Sequence, residues 1–422
     1  MRPSSNDKTP RVKPVRKIEL SEEHLPLRIA LVFVLMAIAA VALVVFLTSL
    51  LNTDPGWKVV EVDSSERNCS SDFVFNYDFG DAGISATAEY KQVLSVYTEA
   101  TRKAYWLFNK DEGDDRYPGI YHVNTHVNES VEVDPALYHA LTLLEEAGNR
   151  SLYLAPVYAQ YDNLFSCEDD VQASLYAPEK NRELAAYFDR IIAFIQDPAM
   201  INLELLGDCR VRLHVSAEYL AFAAEEEIDA FLDFHWMTNA FIVDYLAEQL
   251  QQNGHTNGYL TSFDGFTRNL DLRGNSYSFN IFNRESDTVY MAARMSYNKP
   301  CSIVFLRAYG MTEPDRWHYY NWSDGHITTA YVDTADGRSK TAAENLVSYS
   351  GALGCAETLL RAADVYIADT LDTDALKSMA AEGYDSLWCE GTVINVTDND
   401  LVMYSLFKLK DIEYTVKKVL AE

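Results

Sequence analysis

Residues 258–306 read GYLTSFDGFTRNLDLRGNSYSFNIFNRESDTVYMAARMSYNKPCSIVFL. Four short segments of this stretch are rich in β-branched and aromatic residues and are separated by Gly, Asn and Asp, a pattern typical of strands joined by turns. They are GYLTSF (258–263), YSFNIF (277–282), TVYMAARM (288–295) and SIVFL (302–306). Two later segments, TVINV (392–396) and LVMYSLF (401–407), have the same character. These segments predict antiparallel strands.

Segments on both sides of this stretch repeat apolar residues at helical spacing. They predict helices over 90–110, 135–147, 217–234, 239–252, 354–367 and 373–382. Asp134-Pro135 is a favourable helix start, and Gly148 is a favourable stop after the second of these helices. Helices combined with antiparallel strands indicate an α+β fold.

The block IALVFVLMAIAAVALVVFLTSLL (29–51) holds 23 residues without a charge or a proline. As a helix with a rise of ~1.5 Å per residue it would span about 34 Å, enough to cross a hydrocarbon core of ~30 Å. Seven basic residues against four acidic ones in the tail before it favour a cytoplasmic N-terminus. A cleaved signal peptide is the alternative, but its apolar core is usually shorter, about 7–15 residues.

We therefore expect a single-pass protein of the cell membrane, with its large domain outside. The expected parts are a basic cytoplasmic tail (1–28), a transmembrane anchor (29–51), a stalk (52–75) and an extracytoplasmic domain (76–410).

The charge balance excludes one class of partner. The chain has 63 acidic and 35 basic residues, a net charge of −28. Nucleic-acid binding needs Lys and Arg for the phosphates, so we expect no nucleic-acid partner. All six cysteines follow the apolar block, where an oxidising space would permit up to three disulfides; buried free thiols are the alternative.

Local motifs for chemistry are weak. His122 and His126 are four residues apart in HVNTHVN, which reads as a turn and strand, so we do not expect them to share a helix face as metal ligands. The aromatic run RWHYY (316–320) is suited either to stacking on a flat ring or to packing in a core, and core packing is favoured. The phosphate-binding and nucleophile motifs built on glycine are missing from the sequence.

Several weak segments occur in a recognisable order. They are ALYHALTLLEEAGN (136–149), LAPVYAQYDNLF (154–165), NAFIVD (239–244), GYLTSFDG (258–265), YVDTADG (331–337) and GCAETLLR (354–361). Their order and spacing resemble the bacterial FAD:protein FMN transferases, the ApbE family, whose last four segments read K-G-Y-A-V-D, alVNlGGdi, HIIDPxTG and aADalsTa. The resemblance covers roughly residues 75–382 and does not rest on any single motif.

The resemblance implies a transferase that binds FAD as substrate together with Mg²⁺. Such enzymes move FMN onto a Thr or Ser hydroxyl of a partner protein and release AMP; here the partner would be a membrane-bound or exported flavin acceptor. Residue by residue, the resemblance implies catalytic roles for Asp333 and Asn239, flavin-binding roles for Asp264, Gly265, Asp244 and Tyr331, and Mg²⁺ ligation by Glu357.

The sequence departs from the family at several of these positions. Asn239 replaces the lysine, Ala240 the next glycine, Asp264 the first glycine of the pair, Ala330 (or His326) the histidine, Glu357 the metal aspartate and Arg361 the metal threonine. An arginine at a Mg²⁺ ligand position places a cation beside a cation. Three hypotheses stay open: an active but divergent transferase, a degenerate relative that binds a flavin, a nucleotide or a protein partner without transfer, and an unrelated acidic surface-binding domain.

Overall fold

The computed structural model describes residues 25–51, 53–63, 65–410 and 412–420. They fall into two compact units, Met1–Thr53 and Asp54–Glu422. The first unit contains helix α1, Leu25–Leu51, and most of the predicted basic tail lies outside the described residues. Among the residues whose side chains are described, which in α1 are Pro26 and residues 30–43, no helix is long and apolar enough to cross a membrane.

The second unit contains ten α-helices among its described residues. They are α2 (Ala86–Phe108), α3 (Ile120–Thr125), α4 (Pro135–Glu146), α5 (Ala155–Phe165), α6 (Asp170–Ala173), α7 (Arg182–Gln196), α8 (Ala217–Glu225), α9 (Thr238–Gln252), α10 (Cys355–Tyr366) and α11 (Thr373–Ala381). Side chains start several of them. Ser85, for example, accepts a hydrogen bond from the Ala88 N–H at the start of α2, as an N-cap residue does.

The described strands form one large sheet and four small ones. The strands are β1 (Gly56–Val59), β2 (Phe73–Phe79), β3 (Ser130–Glu132), β4 (Ile201–Gly207), β5 (Arg210–Val215), β6 (Gly258–Ser262), β7 (Phe266–Asn269), β8 (Tyr277–Glu285), β9 (Thr288–Tyr297), β10 (Cys301–Arg307), β11 (Tyr319–Asn321), β12 (Ile327–Thr329), β13 (Asn345–Ser350), β14 (Asp385–Glu390), β15 (Val393–Val396), β16 (Val402–Tyr404), β17 (Lys408–Leu409), β18 (Ile412–Glu413) and β19 (Thr415–Lys418).

The large sheet has the order β1-β2-β6-β7-β10-β13-β14-β15-β19. Its neighbours pair antiparallel, except that β15 and β19 run parallel. The small sheets are β3-β5-β4, β16-β9-β8, β11-β12 and β17-β18. The predicted α+β fold is confirmed.

The large sheet is covered on both faces. Helices α9 and α10 pack on one face, against β6, β7, β10 and β13. On the other face a second apolar core joins the sheet to β8 and β9. Side chains alternate between the faces along β10: Val304 and Leu306 belong to the helix-side core, whereas Ile303 and Phe305 belong to the second core. Arg307, two residues after Phe305 at the end of β10, lies on the same face of the sheet as the second core.

Two predicted boundaries were wrong. The segment 52–75, predicted as a stalk, contributes β1 and the start of β2 to the large sheet, where β2 pairs with β6. Polar, irregular sequence had suggested a stalk, but β1 pairs with β2, and β2 is held in the sheet by β6, far along the chain. The domain also continues beyond residue 410, because β19 pairs with β15.

Most predicted elements lie close to the observed ones, with two differences. The helix predicted over 217–234 ends at Glu225, and Glu227 adopts a positive φ of 53° that no helix continues. His122 lies in the short helix α3 and not in a strand, and His126 follows it. The Nδ1 of His126 contacts the His122 carbonyl oxygen at 2.9 Å.

The six cysteines are all free thiols in the structure, and four of them are buried. Of the two expectations, disulfides or free buried thiols, the structure therefore agrees with free thiols. Burial raises the pKa of the Cys301 and Cys389 thiols to about 12, so these two are inert at neutral pH.

Candidate functional site

Two of the predicted site residues meet where α9 begins beside the β6–β7 turn. Asn239 is the second residue of α9, and Asp264 lies in the turn. The Asn239 Nδ2 donates a hydrogen bond to Asp264 Oδ2 at 3.0 Å. The Ser262 side chain closes the turn by accepting from the Phe266 N–H at 2.9 Å. Strand pairing and the start of one helix thus hold these side chains together.

The environment of the Asp264 carboxylate is unusual for an acidic side chain, because one of its oxygens is buried without a described partner. Its Oδ1 is buried and has no hydrogen-bond partner among the described residues. Burial raises the pKa of Asp264 to about 6, although Ser262, Asn239 and the Arg307 charge act in the opposite direction. The group therefore titrates close to physiological pH.

Beside Asp264 lies a buried ion pair that the sequence did not single out. The Arg307 Nη2 donates to Asp315 Oδ1 at 2.6 Å, and the two side chains are only 3% and 2% exposed. Arg307 also donates to the carbonyl oxygens of Asp264 at 3.1 Å and Phe263 at 3.3 Å. The guanidinium therefore joins the end of β10 to the β6–β7 turn.

Tyr331 joins this group through a second tyrosine. The Tyr319 hydroxyl donates to the Arg307 carbonyl oxygen at 3.1 Å, and the Tyr331 hydroxyl lies 3.5 Å from that of Tyr319. Of the aromatic run 316–320, Tyr319 and Tyr320 are buried as core packing predicted, whereas Trp317 is 50% exposed. The structure thus brings Asn239, Asp264 and Tyr331 around Arg307.

A cavity of about 700 Å³ opens next to this cluster, between the large sheet and β8. Eight of its twenty lining residues are aromatic, Arg307 is the one charged residue among the twenty, and none of the twenty is a carboxylate. The aromatic residues are Trp57, Tyr259, Phe263, Tyr277, Phe279, Phe282, Tyr297 and Phe305. Its size lies within the range of about 300–1,000 Å³ that is usual for ligand pockets.

The aromatic rings of the cavity contact one another in fixed orientations. Tyr277 stacks on Tyr297 with ring centroids 5.7 Å apart and an interplanar angle of 21°. Trp57 meets Tyr277 edge to face at 6.0 Å. The buried Asp271 holds the loop beside them, accepting from Arg273 and from Asn275. Nearby Arg273 and Tyr277 keep the pKa of Asp271 below its usual range, against the effect of burial, so this support stays charged at neutral pH.

Asp244, implied as a flavin-binding residue, makes structural contacts with α10. Its carboxylate accepts from the N–H groups of Cys355 at 2.9 Å and Ala356 at 2.8 Å, which are the first residues of α10. Arg268 lies 3.5 Å away on β7. A Cβ on Gly354 would lie 2.2 Å from Asp244 Oδ2, so the contact requires glycine there. Asp244 therefore docks α10 onto α9.

The residues implied as catalytic and metal-binding carboxylates do not meet. Asp333 accepts from the Lys340 Nζ at 2.7 Å and lines a cavity of about 490 Å³. Glu357 lines a separate cleft of about 480 Å³ beside Asp244. Arg361 points to the surface, where it donates to Glu382 at 2.9 Å.

The described residues show no metal site built from side chains alone. They include no group of three or more His, Cys, Asp or Glu side chains placed to hold a metal ion. Asp333 is paired with Lys340 and Glu357 faces another cleft, so this structure does not bring the two carboxylates together.

Two histidines lie close together although they are far apart in the chain: His235 just before α9 and His318 just before β11. The His235 Nε2 lies 2.9 Å from Asp162 Oδ1, and its ring stacks on Tyr158 with centroids 4.1 Å apart. The His318 ring is 6.2 Å from that of His235, and burial lowers the pKa of His318 to about 4, so it is neutral at pH 7. Their partners are too distant in sequence for a spacing motif: Asp162 and His235 are 73 residues apart.

The raised pKa of Asp264 predicts a pH-dependent effect of Asp264→Asn. A carboxyl group whose pKa is higher in the folded state favours folding at low pH, and this contribution is lost as the pH rises through about 6. The variant does not titrate, so its unfolding free energy relative to the natural protein should increase between pH 5 and pH 8, by on the order of 1 kcal/mol. Urea unfolding at both pH values measures this. With the exposed Asp229→Asn as control, an equal difference at the two pH values would contradict the assignment.

The fold and site define a class of protein: an α+β domain with a large antiparallel sheet, α9 and α10 on one face, and an aromatic cavity on the other. This is the fold of the ApbE flavin transferases. The flavin transferase ApbE from Vibrio cholerae is similar with a TM-score of 0.53 and 12% identity, over 83% of this chain and 97% of that one. The ApbE protein from Thermotoga maritima is similar with a TM-score of 0.52 and 10% identity, over 82% of this chain and 96% of that one.

The resemblance seen in the sequence is thus confirmed for the fold. At 10% and 12% identity the likeness concerns the fold alone. No protein-family model and no curated protein sequence matches the chain.

Proposed function

We propose that this protein is a flavin-transferase-like protein that binds a flavin nucleotide, such as FAD, in the aromatic cavity. The observation that carries the proposal is the lining of that cavity: eight aromatic side chains, one arginine and no carboxylate. In a chain with 63 acidic residues, a cavity lined without a carboxylate is a place where an anionic ligand meets little repulsion. Aromatic rings suit a flat isoalloxazine, and the fold is that of flavin transferases.

Titration of the full-length protein with FAD, followed by flavin fluorescence, tests the proposal. Binding should quench the fluorescence, because the isoalloxazine would stack beside Tyr277 and its neighbours. Tyr277→Leu removes one stacking partner worth about 1 kcal/mol and should weaken binding roughly fivefold. Tyr404→Leu, at an exposed tyrosine on β16, is the matched control. Binding that is equal in both variants would place the flavin elsewhere, and a lack of binding would refute the proposal.

Transfer of FMN from FAD to a Thr or Ser hydroxyl of a partner protein is a second candidate function, favoured by the fold shared with the flavin transferases. Binding without transfer is the alternative, because Glu357 stands where the family has the metal aspartate and Arg361 where it has the metal threonine. The protein is incubated with FAD, Mg²⁺ and an acceptor carrying S-G-A-T-x-T. Covalent yellow fluorescence on the acceptor would establish transfer, whereas bound FAD without label would leave binding alone.

The location stays a proposal that rests on the sequence. The apolar block 29–51 and the basic tail before it favour a single-pass anchor with the large domain outside the cell membrane. A partner protein would then be membrane-bound or exported. Protease added to intact cells should digest the large domain, and protection of that domain would overturn the proposed orientation.

A further inference from the structure

Strand β8 is an outer strand of the small sheet β16-β9-β8 and lies beside the aromatic cavity. It pairs with β9 on one side. Apart from this pairing, no hydrogen bond among the described residues reaches the backbone of residues 277–281. From Phe282 onward the strand has further partners, because the Asn345 Nδ2 donates to the Phe282 carbonyl oxygen at 2.6 Å and Arg284 pairs with Glu344. The first half of β8 therefore offers unpaired N–H and C=O groups along one side.

The other described outer strands of the three larger sheets carry the features that prevent pairing at natural sheet edges, which are charged side chains or a very short strand. Lysine or glutamate side chains occur in β1, β3, β4 and β19, and β16 has only 3 residues. Residues 275–283, NSYSFNIFN, contain neither a charge nor a proline, in a chain of which 23% of the residues are charged. The start of β8 is thus an edge that the sequence leaves open to pairing.

We propose that an extended, uncharged segment of a partner protein adds to β8 as a further strand, along residues 277–281 at the rim of the aromatic cavity. Main-chain hydrogen bonds to a sheet edge are a general mode of peptide recognition. A second copy of this chain is a poor occupant, because two chains with a net charge of −28 repel each other. An uncharged segment meets neither this repulsion nor the cost of placing a charge against an aromatic lining.

The two faces of β8 indicate which side chains the added segment carries. Tyr277 and Phe279 face the large sheet, where their rings contact Tyr259 and Phe305, whereas Ser278 and Asn280 are exposed. Side chains of an added strand alternate in the same way. Those on the outer face lie beside Ser278 and Asn280, where Ser or Thr hydroxyls form cross-strand hydrogen bonds. Those on the inner face meet the cavity, and the choice of small residues for them rests on the proposed flavin binding, since a bound flavin would fill that space.

A capped peptide of alternating threonine and alanine, about as long as β8, is the probe for this surface. Binding to the full-length protein should slow the hydrogen exchange of the N–H groups in residues 277–281 severalfold, as followed by mass spectrometry, because new backbone hydrogen bonds protect them. The same peptide with its backbone nitrogens methylated cannot donate these bonds and should bind at least roughly tenfold more weakly.

Variants of the protein locate the surface. Ser278→Lys combined with Asn280→Lys places two lysines on exposed positions of the edge, as natural edge strands do, and should weaken peptide binding severalfold. Gln251→Lys combined with Gln252→Lys, at the exposed end of α9, changes the charge equally and is the matched control. An equal effect of both pairs of lysines would overturn the assignment to β8.

The outcomes separate strand addition from the proposed function. Lack of peptide binding, unchanged exchange in 277–281 at saturating peptide, or equal binding of the methylated peptide would each overturn strand addition, and FAD binding would then still stand. Protection of 277–281 in a protein that does not bind FAD would support strand addition and refute the flavin proposal.

Discussion

Replacing Asp315 with alanine should lower the free energy of unfolding by about 3–5 kcal/mol, the usual loss when one partner of a buried ion pair is removed. The variant leaves the guanidinium of Arg307, 3% exposed, without its carboxylate. It also leaves the N–H groups of Met311 and Thr312 without their acceptor. Since both residues line the aromatic cavity, flavin binding should weaken as well.

Urea unfolding of the full-length protein measures this loss, with the exposed Asp229→Ala as the matched control. The control should change the unfolding free energy by less than about 0.5 kcal/mol, as most surface substitutions do. A loss below about 1 kcal/mol for Asp315→Ala would show that the Arg307–Asp315 pair is not the support of this wall.

Replacing Gly265 with alanine should lower the free energy of unfolding by about 2–4 kcal/mol, because two costs combine. At a φ of +119° the backbone adopts a conformation that residues with a side chain rarely take. The new Cβ would also lie 2.4 Å from the Phe305 carbonyl oxygen, a backbone atom that cannot rotate away. The β6–β7 turn would have to move, and Asp264 and the Arg307 contacts would move with it.

Gly274→Ala is the matched control for this prediction. Gly274 has a φ of +78°, but a Cβ there would meet nothing within 4 Å, so it carries the conformational cost alone. Thermal unfolding of both variants should therefore show a larger loss for Gly265→Ala. Equal losses would mean that the turn yields easily and that its close contact with β10 is unimportant.

The strands in 258–306 could be predicted because their cause is local. Pleated backbone favours β-branched and aromatic residues, and Gly, Asn and Asp break the run between strands. The predicted segments 277–282, 288–295 and 302–306 each lie within, or within one residue of, an observed strand. Helices α4, α9, α10 and α11 likewise follow from apolar spacing and from favourable starts and stops.

The segment 52–75 could not be assigned in the same way. Strand β2 takes its place in the sheet by pairing with β6, whose residues lie almost two hundred positions later. Residues 61–72, between β1 and β2, are mostly polar. This polarity favoured a stalk over the short strand patterns on either side. The polarity of a segment does not reveal whether a distant strand offers unpaired N–H and C=O groups with which the segment can pair.

The candidate site likewise contains features that could be predicted from the sequence and features that could not. Asn239, Asp264, Gly265 and Tyr331 could be named from the resemblance because the order of segments survives when individual residues diverge. The contacts of Asp244 with the first N–H groups of α10 could not be predicted, since a carboxylate that caps a neighbouring helix and one that binds a ligand look alike in sequence. Asp333 and Glu357 were both implied as acidic site residues, yet in the folded protein they line different cavities.

By itself, the sequence determined the α+β class, the strongly acidic charge balance, and the order of segments that resembles the flavin transferases. These follow from the periodicity and the composition of the sequence, which can be read without knowing which residues are in contact. Only the tertiary structure decided that Arg307 is paired with Asp315 beside a cavity lined without carboxylates, and that Asp264 is buried enough to raise its pKa. The reason is physical: burial, pairing and the shape of a cavity arise from contacts between residues far apart in the chain, and a local pattern does not contain them.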